Sequence, residues 1–348
     1  MKFTLKYVTQ QFISKFNLYK NMRWLDRVSF QLFIISIYAF NNQVAQAQTY
    51  PEKSRQVRII VPTGAGSAID LIARTYSKAL AETSGISSVV DNKPGADGAI
   101  GIQTFLATQP DGYNLLLLSS SFAVINPIIN QKLPYDPLKD FVPLTTTSQA
   151  GIVMSVSTSF PFTSLREFVA SARANPSKYT CAVSSPTLRL ACEHLQASAG
   201  IKILIVPYKT TATAMIAVAT RETDVIFADT GSFVNLWQAG RLKGLVYATT
   251  ERHSAYPNIP TTKEEGFPDF LMSAWYGFYF KPGTPYAIEE IMRDRLRKAG
   301  MSQTVKDSLK NFVHEPLDLA GPDMLAMTKR EIENWNRLVN ERGIKFTD

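Results

Sequence analysis

An α/β fold of two lobes is what this sequence predicts, and three observations carry the prediction. Val57-Arg58-Ile59-Ile60-Val61 reads as a buried strand, and it leads through the glycine turn Pro62-Thr63-Gly64-Ala65-Gly66-Ser67 into a helix. Short apolar runs then alternate with helical periods, and one run, Leu115-Leu116-Leu117-Leu118, is of the kind a parallel sheet buries on both faces. The alternation comes in two blocks, with crossings between them near residues 149 and 273.

In the first block Ser67 is a natural N-cap, and Asp70, three residues on, completes a capping-box spacing. Ile69, Ile72, Ala73, Tyr76 and Leu80 share one helical face, and Gly85 stops the helix. A short strand at 87–91, a turn-rich loop at 92–98, a helix at 98–107 and a strand at 114–119 complete a βαβαβ unit. In the second block strands are expected at 152–157, 180–183, 203–207, 224–228 and 245–249. Helices are expected at 165–174, 190–199, 211–220 and 232–239. An aromatic strand at 274–280 returns to the first block, and amphipathic helices at 285–300 and 322–342 follow. Residues 48–148 and 274–348 therefore make lobe 1, residues 149–273 make lobe 2, and a hinge joins two Rossmann-like units. A cleft between such lobes is the expected ligand site.

Residues 1–47 read as a signal peptide. Lys2, Lys6, Lys15, Lys20, Arg23 and Arg27 form a basic region, Phe30 to Phe40 an apolar one, and Ala45-Gln46-Ala47 a cleavage pattern that leaves Gln48 as the mature start. The basic region is long, so Met1 and Met22 both stand as candidate starts. The leader holds six of the 37 Lys+Arg and one of the 29 Asp+Glu, so the formal charge of +8 falls to 31 minus 28, or +3, once it is removed. That leaves no case for nucleic acid. Export to an oxidising compartment bears on Cys181 and Cys192, for which a disulfide and two unpaired thiols are both open.

The glycine turn carries the first chemical signal. Amides of Gly64, Ala65, Gly66, Ser67 and Ala68 stand at a helix N-terminus, where backbone N–H groups and the helix dipole favour an anion. The dinucleotide fingerprint fails, because Ile69 stands where its third glycine belongs, and no GxxxxGK[ST] loop occurs. Ser119, Ser120 and Ser121 close a buried strand at its carboxyl end, and Lys209 and Thr210 close another. Ser184, Thr187 and Arg189 offer donors from the second block. An enzyme is poorly supported: the chain has three histidines, no G-x-S-x-G elbow, no C-x-x-C pair and no zinc-ligand spacing. Neither a metal nor a cofactor is expected. Trp275, Tyr276, Phe278 and Tyr279 fit packing of a hinge strand better than a stacking pocket.

Several motifs in fixed order resemble the extracytoplasmic solute receptors of the tripartite tricarboxylate transporter system, the Bug receptors. They are the stretch 61–70 already described, Asp91-Asn92-Lys93-Pro94-Gly95-Ala96-Asp97-Gly98, Pro110-Asp111-Gly112-Tyr113 and Ile125-Asn126-Pro127. Further along stand Leu133-Pro134-Tyr135-Asp136-Pro137 with Asp140-Phe141, Val206-Pro207-Tyr208-Lys209, Asp224-Val225-Ile226-Phe227 and Lys281-Pro282-Gly283-Thr284-Pro285. The resemblance spans Tyr50 to about Ile344. It implies a two-lobed periplasmic-binding-protein fold of type II kind, with capture of a small carboxylate and delivery to a membrane permease of that system. It also implies a monomer in the periplasm, and it places Asp229 close to the ligand. An aspartate there would accept from an amine, a hydroxyl or a bridging water, or simply cap a helix before Ser232. The chain departs from the family at Thr63-Gly64-Ala65-Gly66, where Pro-Pro-Gly-Gly is usual, and at Thr210, where glycine is usual. The loop 183–188 looks about two residues shorter than usual, and Arg189 replaces a histidine as a candidate carboxylate partner. A receptor that reports to a membrane sensor kinase, or a periplasmic enzyme, is the alternative.

Overall fold

Strand β1 (Val57–Val61) pairs in parallel with β2 (Ser88–Asn92) on one side and β3 (Asn114–Ser119) on the other. The protein is described by a computed structural model over residues 50–346, apart from Lys53, Gln131 and Lys345. The expected signal peptide, its cleavage after Ala47 and the choice between Met1 and Met22 lie outside these residues. Helix α1 (Ala68–Ser84) connects β1 to β2 and buries Ile69, Ile72, Ala73, Tyr76 and Leu80, the face its period predicts. Burial of each large apolar side chain there contributes roughly 1.5–3 kcal/mol. Gly85 ends the helix in the left-handed conformation at φ 64°. A short helix α2 (Ala99–Leu106) leads to β3, which has four consecutive leucines at 0 % exposure.

The chain then departs from expectation. After β3 comes a π-type turn at Ser121–Ile125, followed by a one-turn helix α3 (Asn126–Ile129). Strand β4 runs unbroken from Val142 to Ser157. The expected strand at 152–157 is only its second half, and the crossing near residue 149 lies inside a strand instead of a linker. The first half, rich in Thr and Ser, carries no alternation of apolar and polar residues, yet Thr145, Thr146, Thr147 and Ser148 are buried.

Lobe 2 follows as α4 (Leu165–Ala174), β5 (Thr180–Val183), α5 (Pro186–Ala199), β6 (Leu204–Pro207), α6 (Thr211–Ala219), β7 (Val225–Asp229), α7 (Thr230–Gln238) and β8 (Leu242–Tyr247). Strand β9 (Ser273–Phe280) returns to lobe 1 and lies antiparallel between β3 and β4. The strand order is β2-β1-β3-β9-β4-β7-β5-β6, with β8 also on β4. Along β4 the partner changes from β9 at Gly151↔Ser273 to β7 at Ile152↔Asp229, so one strand serves both lobes. The chain ends with α8 (Tyr286–Gly300), α9 (Gln303–Phe312), the two-residue β10 (Glu315–Pro316) on β4, and α10 (Gly321–Glu341). Helix α9 lies outside the helices expected from the sequence, since only Val305 and Leu309 are buried in it and most of its other residues are polar. No helix among the described residues is long and apolar enough to cross a membrane.

Candidate functional site

The carboxyl ends of β1, β3, β5 and β7 converge on a cleft between the lobes, and the cleft has two chambers. The inner chamber, of 60 Å³, is lined from lobe 1 by Thr63, Ser67, Ala68, Ile69, Ser119, Ser121, Phe122, Ala274 and Tyr276. Lobe 2 adds Ile152, Ser185, Thr187, Leu188, Thr211, Ala228, Asp229 and Ser232. The outer chamber, of 270 Å³, shares Thr63, Ser67, Phe122, Ser185 and Thr211 with it and adds Gly64, Ser184, Tyr208, Lys209, Thr210 and the loop 94–98. That loop holds four successive residues at positive φ, from Gly95 to Gly98, two of them the non-glycine Ala96 and Asp97.

The turn before α1 is fixed from within. Ser67 caps the helix by accepting from the Asp70 amide, and its hydroxyl lies 2.7 Å from that of Thr63. Asp70 does not close a reciprocal box onto Ser67; it accepts instead from the Gly66 amide at 2.9 Å and from Arg74 Nε at 3.0 Å. Burial pushes the Asp70 carboxyl up, but the hydrogen bonds from Arg74 and Gly66 outweigh it and hold it below the usual carboxylate range. The Gly66 amide is therefore committed to Asp70, which corrects its expected role as an anion donor. Its left-handed φ of 80° is the reason for a glycine there. Gly64 is needed for a different reason: a Cβ on it would lie 2.8 Å from Thr210 Cγ2, at a close approach of the two lobes. The amides of Ala68 and Ile69, on the first two helical residues, donate to no acceptor among the described residues.

Across the cleft, Ser185 caps α5 and Pro186 occupies its first turn. The Thr187 amide donates to Ser121 Oγ at 3.0 Å, a direct bond from lobe 2 to lobe 1. The Thr187 hydroxyl is buried without a hydrogen-bond partner. Ser184 and Thr211 hydroxyls lie 2.9 Å apart. Cys181 and Cys192 are joined by a disulfide that ties β5 to α5.

The floor is acidic. Asp229 caps α7, accepting from the Ser232 amide at 3.1 Å and from the Ser232 hydroxyl at 3.0 Å, and its Oδ1 lies 3.4 Å from His314 Nε2. Burial raises the Asp229 carboxyl, but His314 and Ser232 overcome it and leave it below the usual range. Tyr276 stacks on the His314 ring, and its phenol is pushed far up by burial and by the Asp229 charge. His314 Nδ1 lies 3.2 Å from Ser148 Oγ. Ser148 is 0 % exposed and lines neither chamber, so this row sets no nucleophile against a molecule in the cleft.

The sequence candidates thus divide. Ser67, Ala68, Ser119, Ser121, Thr187 and Asp229 meet at the inner chamber, and Gly64, Ser184, Lys209 and Thr210 at the outer one. Ala65, Gly66, Ser120 and Arg189 line neither chamber. The Ser120 hydroxyl accepts from the Trp275 amide at 3.4 Å; Ser120 already has helical φ −51° and ψ −23°, past the end of β3, so its direction is set by the turn. Arg189, one position past the lining residue Leu188, sits on another face of α5 beside Glu193. Lining residues outside those candidates include Thr63, Ser185, Thr211, Ser232 and Tyr276, and His314 reaches the site through Asp229. Ser185 before Pro186 was a legible helix-start signal. Tyr276 does pack the hinge strand but also faces the chamber, and nothing local marks His314.

Comparison with known proteins follows the same lines. The profile of the family described as "Tripartite tricarboxylate transporter family receptor" matches residues 72–344. The chain is similar to a UPF0065 protein of Bordetella pertussis, with 30% identity over 305 residues, 86% of this chain and 93% of that protein. It is similar to protein BugT of the same species, with 27% identity over 322 residues, 90% and 98% of the two chains. Among solved structures, periplasmic binding protein BugD superposes with a TM-score of 0.80 and 26% identity, covering 85% of this chain and 99% of that one. R. palustris Rpa4515 with adipate gives a TM-score of 0.81 and 26% identity over the same shares, 85% and 99%.

Proposed function

We propose that this chain, which belongs to the tripartite tricarboxylate transporter receptor family, captures a small carboxylate-bearing molecule between its lobes and delivers it to a membrane permease. The observation that carries this reading is a set of unpaired donors around one chamber of the cleft. The amides of Ala68 and Ile69 and the buried hydroxyl of Thr187 border the inner chamber without an acceptor among the described residues. An unpaired buried donor costs about 1–3 kcal/mol, and a carboxylate supplies the missing acceptors from both lobes at once. Helix α1 adds the positive end of its dipole. Asp229, held as a carboxylate by His314 and Ser232, puts a negative charge at the floor, which favours a ligand carboxylate at the α1 end of the chamber. The adipate bound by Rpa4515 supports the same ligand class.

Both lobes hang on β4 and β9, so bending at Gly151 and Ser273 opens and closes the cleft without breaking either sheet half. The lobe boundaries near 149 and 273 follow from that bend. The basic and apolar leader at 1–47 supports export to the periplasm, with Gln48 as the first mature residue. The protein works as a monomer and without a cofactor.

A thermal-shift screen of mature protein against mono-, di- and tricarboxylates, amino acids and neutral sugars tests the reading. At least one carboxylate should raise Tm with a concentration dependence set by mass action, while the sugars leave it unchanged. A response to sugars alone would refute it.

A further inference from the structure

The disulfide encloses the part of lobe 2 that faces the end of β3. Cys181 is the second residue of β5 and Cys192 lies in the second turn of α5, so the bond closes a ring over residues 181–192. Inside that ring lie Ser184, Ser185, Thr187 and Leu188, which line the chambers. The ring also contains the Thr187 amide that donates to Ser121 across the cleft. Both sulfurs belong to residues at 0 % exposure, so the bond is part of the lobe's interior. Beside it the helix buries the apolar Leu190, Ala191 and Leu195. Packing of that kind resists separation but tolerates small sliding and rotation of a helix over a sheet. A covalent tie in the second turn removes that freedom at the first turn.

We infer that the Cys181–Cys192 disulfide is a positioning device for ligand capture, which fixes the 184–188 turn in its binding geometry before an acid arrives. The inference rests on the receptor reading above. Its physical basis is preorganisation: order already imposed on a loop is not lost again on binding, so affinity rises without a new contact. The two-residue link Ser184-Ser185 between β5 and α5 fits this use, since few residues separate the clamp from the groups it places. An oxidising compartment is where such a clamp persists.

The test compares wild type with Cys181→Ala/Cys192→Ala, and with Cys181→Val/Cys192→Ala, which refills the space the sulfurs leave. Calorimetry against adipate, succinate, malate, citrate and lactate is run well below the Tm of each protein. Affinity for the acid that wild type binds best should fall about tenfold in both variants. Amides of residues 184–190 should exchange faster in the acid-free variants and return to wild-type protection when saturated with that acid. Phe168→Leu, in the aromatic cluster of Phe160, Phe162 and Tyr179 away from the cleft, is the control for lost stability alone and should bind as wild type does. Affinity within about twofold of wild type in both cysteine variants would overturn the inference and leave the receptor reading intact. Failure of wild type to bind any of the five acids would overturn the receptor reading and the inference with it.

Discussion

His194 makes the protein acid-labile between pH 6.5 and about 4. The imidazole sits on α5 at 0 % exposure, with both ring nitrogens lacking a hydrogen-bond partner. Phe270 packs on it with ring centres 4.8 Å apart, and Trp335 of α10 with centres 6.1 Å apart. Burial, helped by the charge of Arg342 and opposed by that of Asp269, lowers its pKa from 6.5 to about 4. Arg342 and Asp269 are themselves paired at 2.9 Å. The unfolded chain therefore binds a proton near pH 6.5 that the folded chain refuses until about pH 4. Stability from the neutral buried ring is fully present above 6.5 and is lost as pH falls toward 4. The shift of about 2.5 units corresponds to roughly 3 kcal/mol, a large share of a typical folding free energy. Urea denaturation of wild type and His194→Leu at pH 7, 6, 5 and 4 reads this directly. The variant should lose roughly 3 kcal/mol less than wild type between pH 7 and 4. Asp70 and Asp229 have lowered pKa values, so they add stability that disappears only as pH falls through the carboxylate range, and they do so equally in both proteins. Parallel losses in the two proteins would refute the reasoning.

Other predictions concern the cleft. Gly64→Val should prevent full closure and weaken acid binding at least about tenfold with the fold intact, because its Cβ meets Thr210 Cγ2 at 2.8 Å. Adding Thr210→Gly should restore most of the affinity in calorimetry; no recovery would place the obstruction elsewhere. Thr187→Val keeps the amide bond to Ser121 but removes the unpaired hydroxyl, so binding should weaken by about 1.5–3 kcal/mol while Tm holds or rises. Arg189→Ala should leave affinity unchanged in the same titration, since Arg189 lines neither chamber.

The strand–turn–helix at 57–84 was legible because apolar period, cap and stop residue agree over one continuous segment. The two lobes were legible from alternation alone. The join was not: β4 is buried through polar Thr145, Thr146 and Thr147, whose burial depends on β9, more than a hundred residues away. The site shows the same division. Groups at the ends of strands could be placed in the cleft from the strand pattern, but facing could not be settled one residue at a time. Ser119 and Ser121 face the chamber while Ser120 turns to Trp275, and Leu188 lines it while Arg189 does not. His314 comes from the segment after α9, and only the folded chain brings it to Asp229.

The position of a bound acid tests the central claim most directly. A crystal structure of the mature protein with the best-binding carboxylate of the screen should show the carboxylate within hydrogen-bond distance of the Ala68 and Ile69 amides and of Thr187 Oγ1, with the lobes closed on it. An acid bound instead in the separate hollow bordered by Gln149, Thr249, His253 and Glu315, with the inner chamber holding only water, would contradict the account.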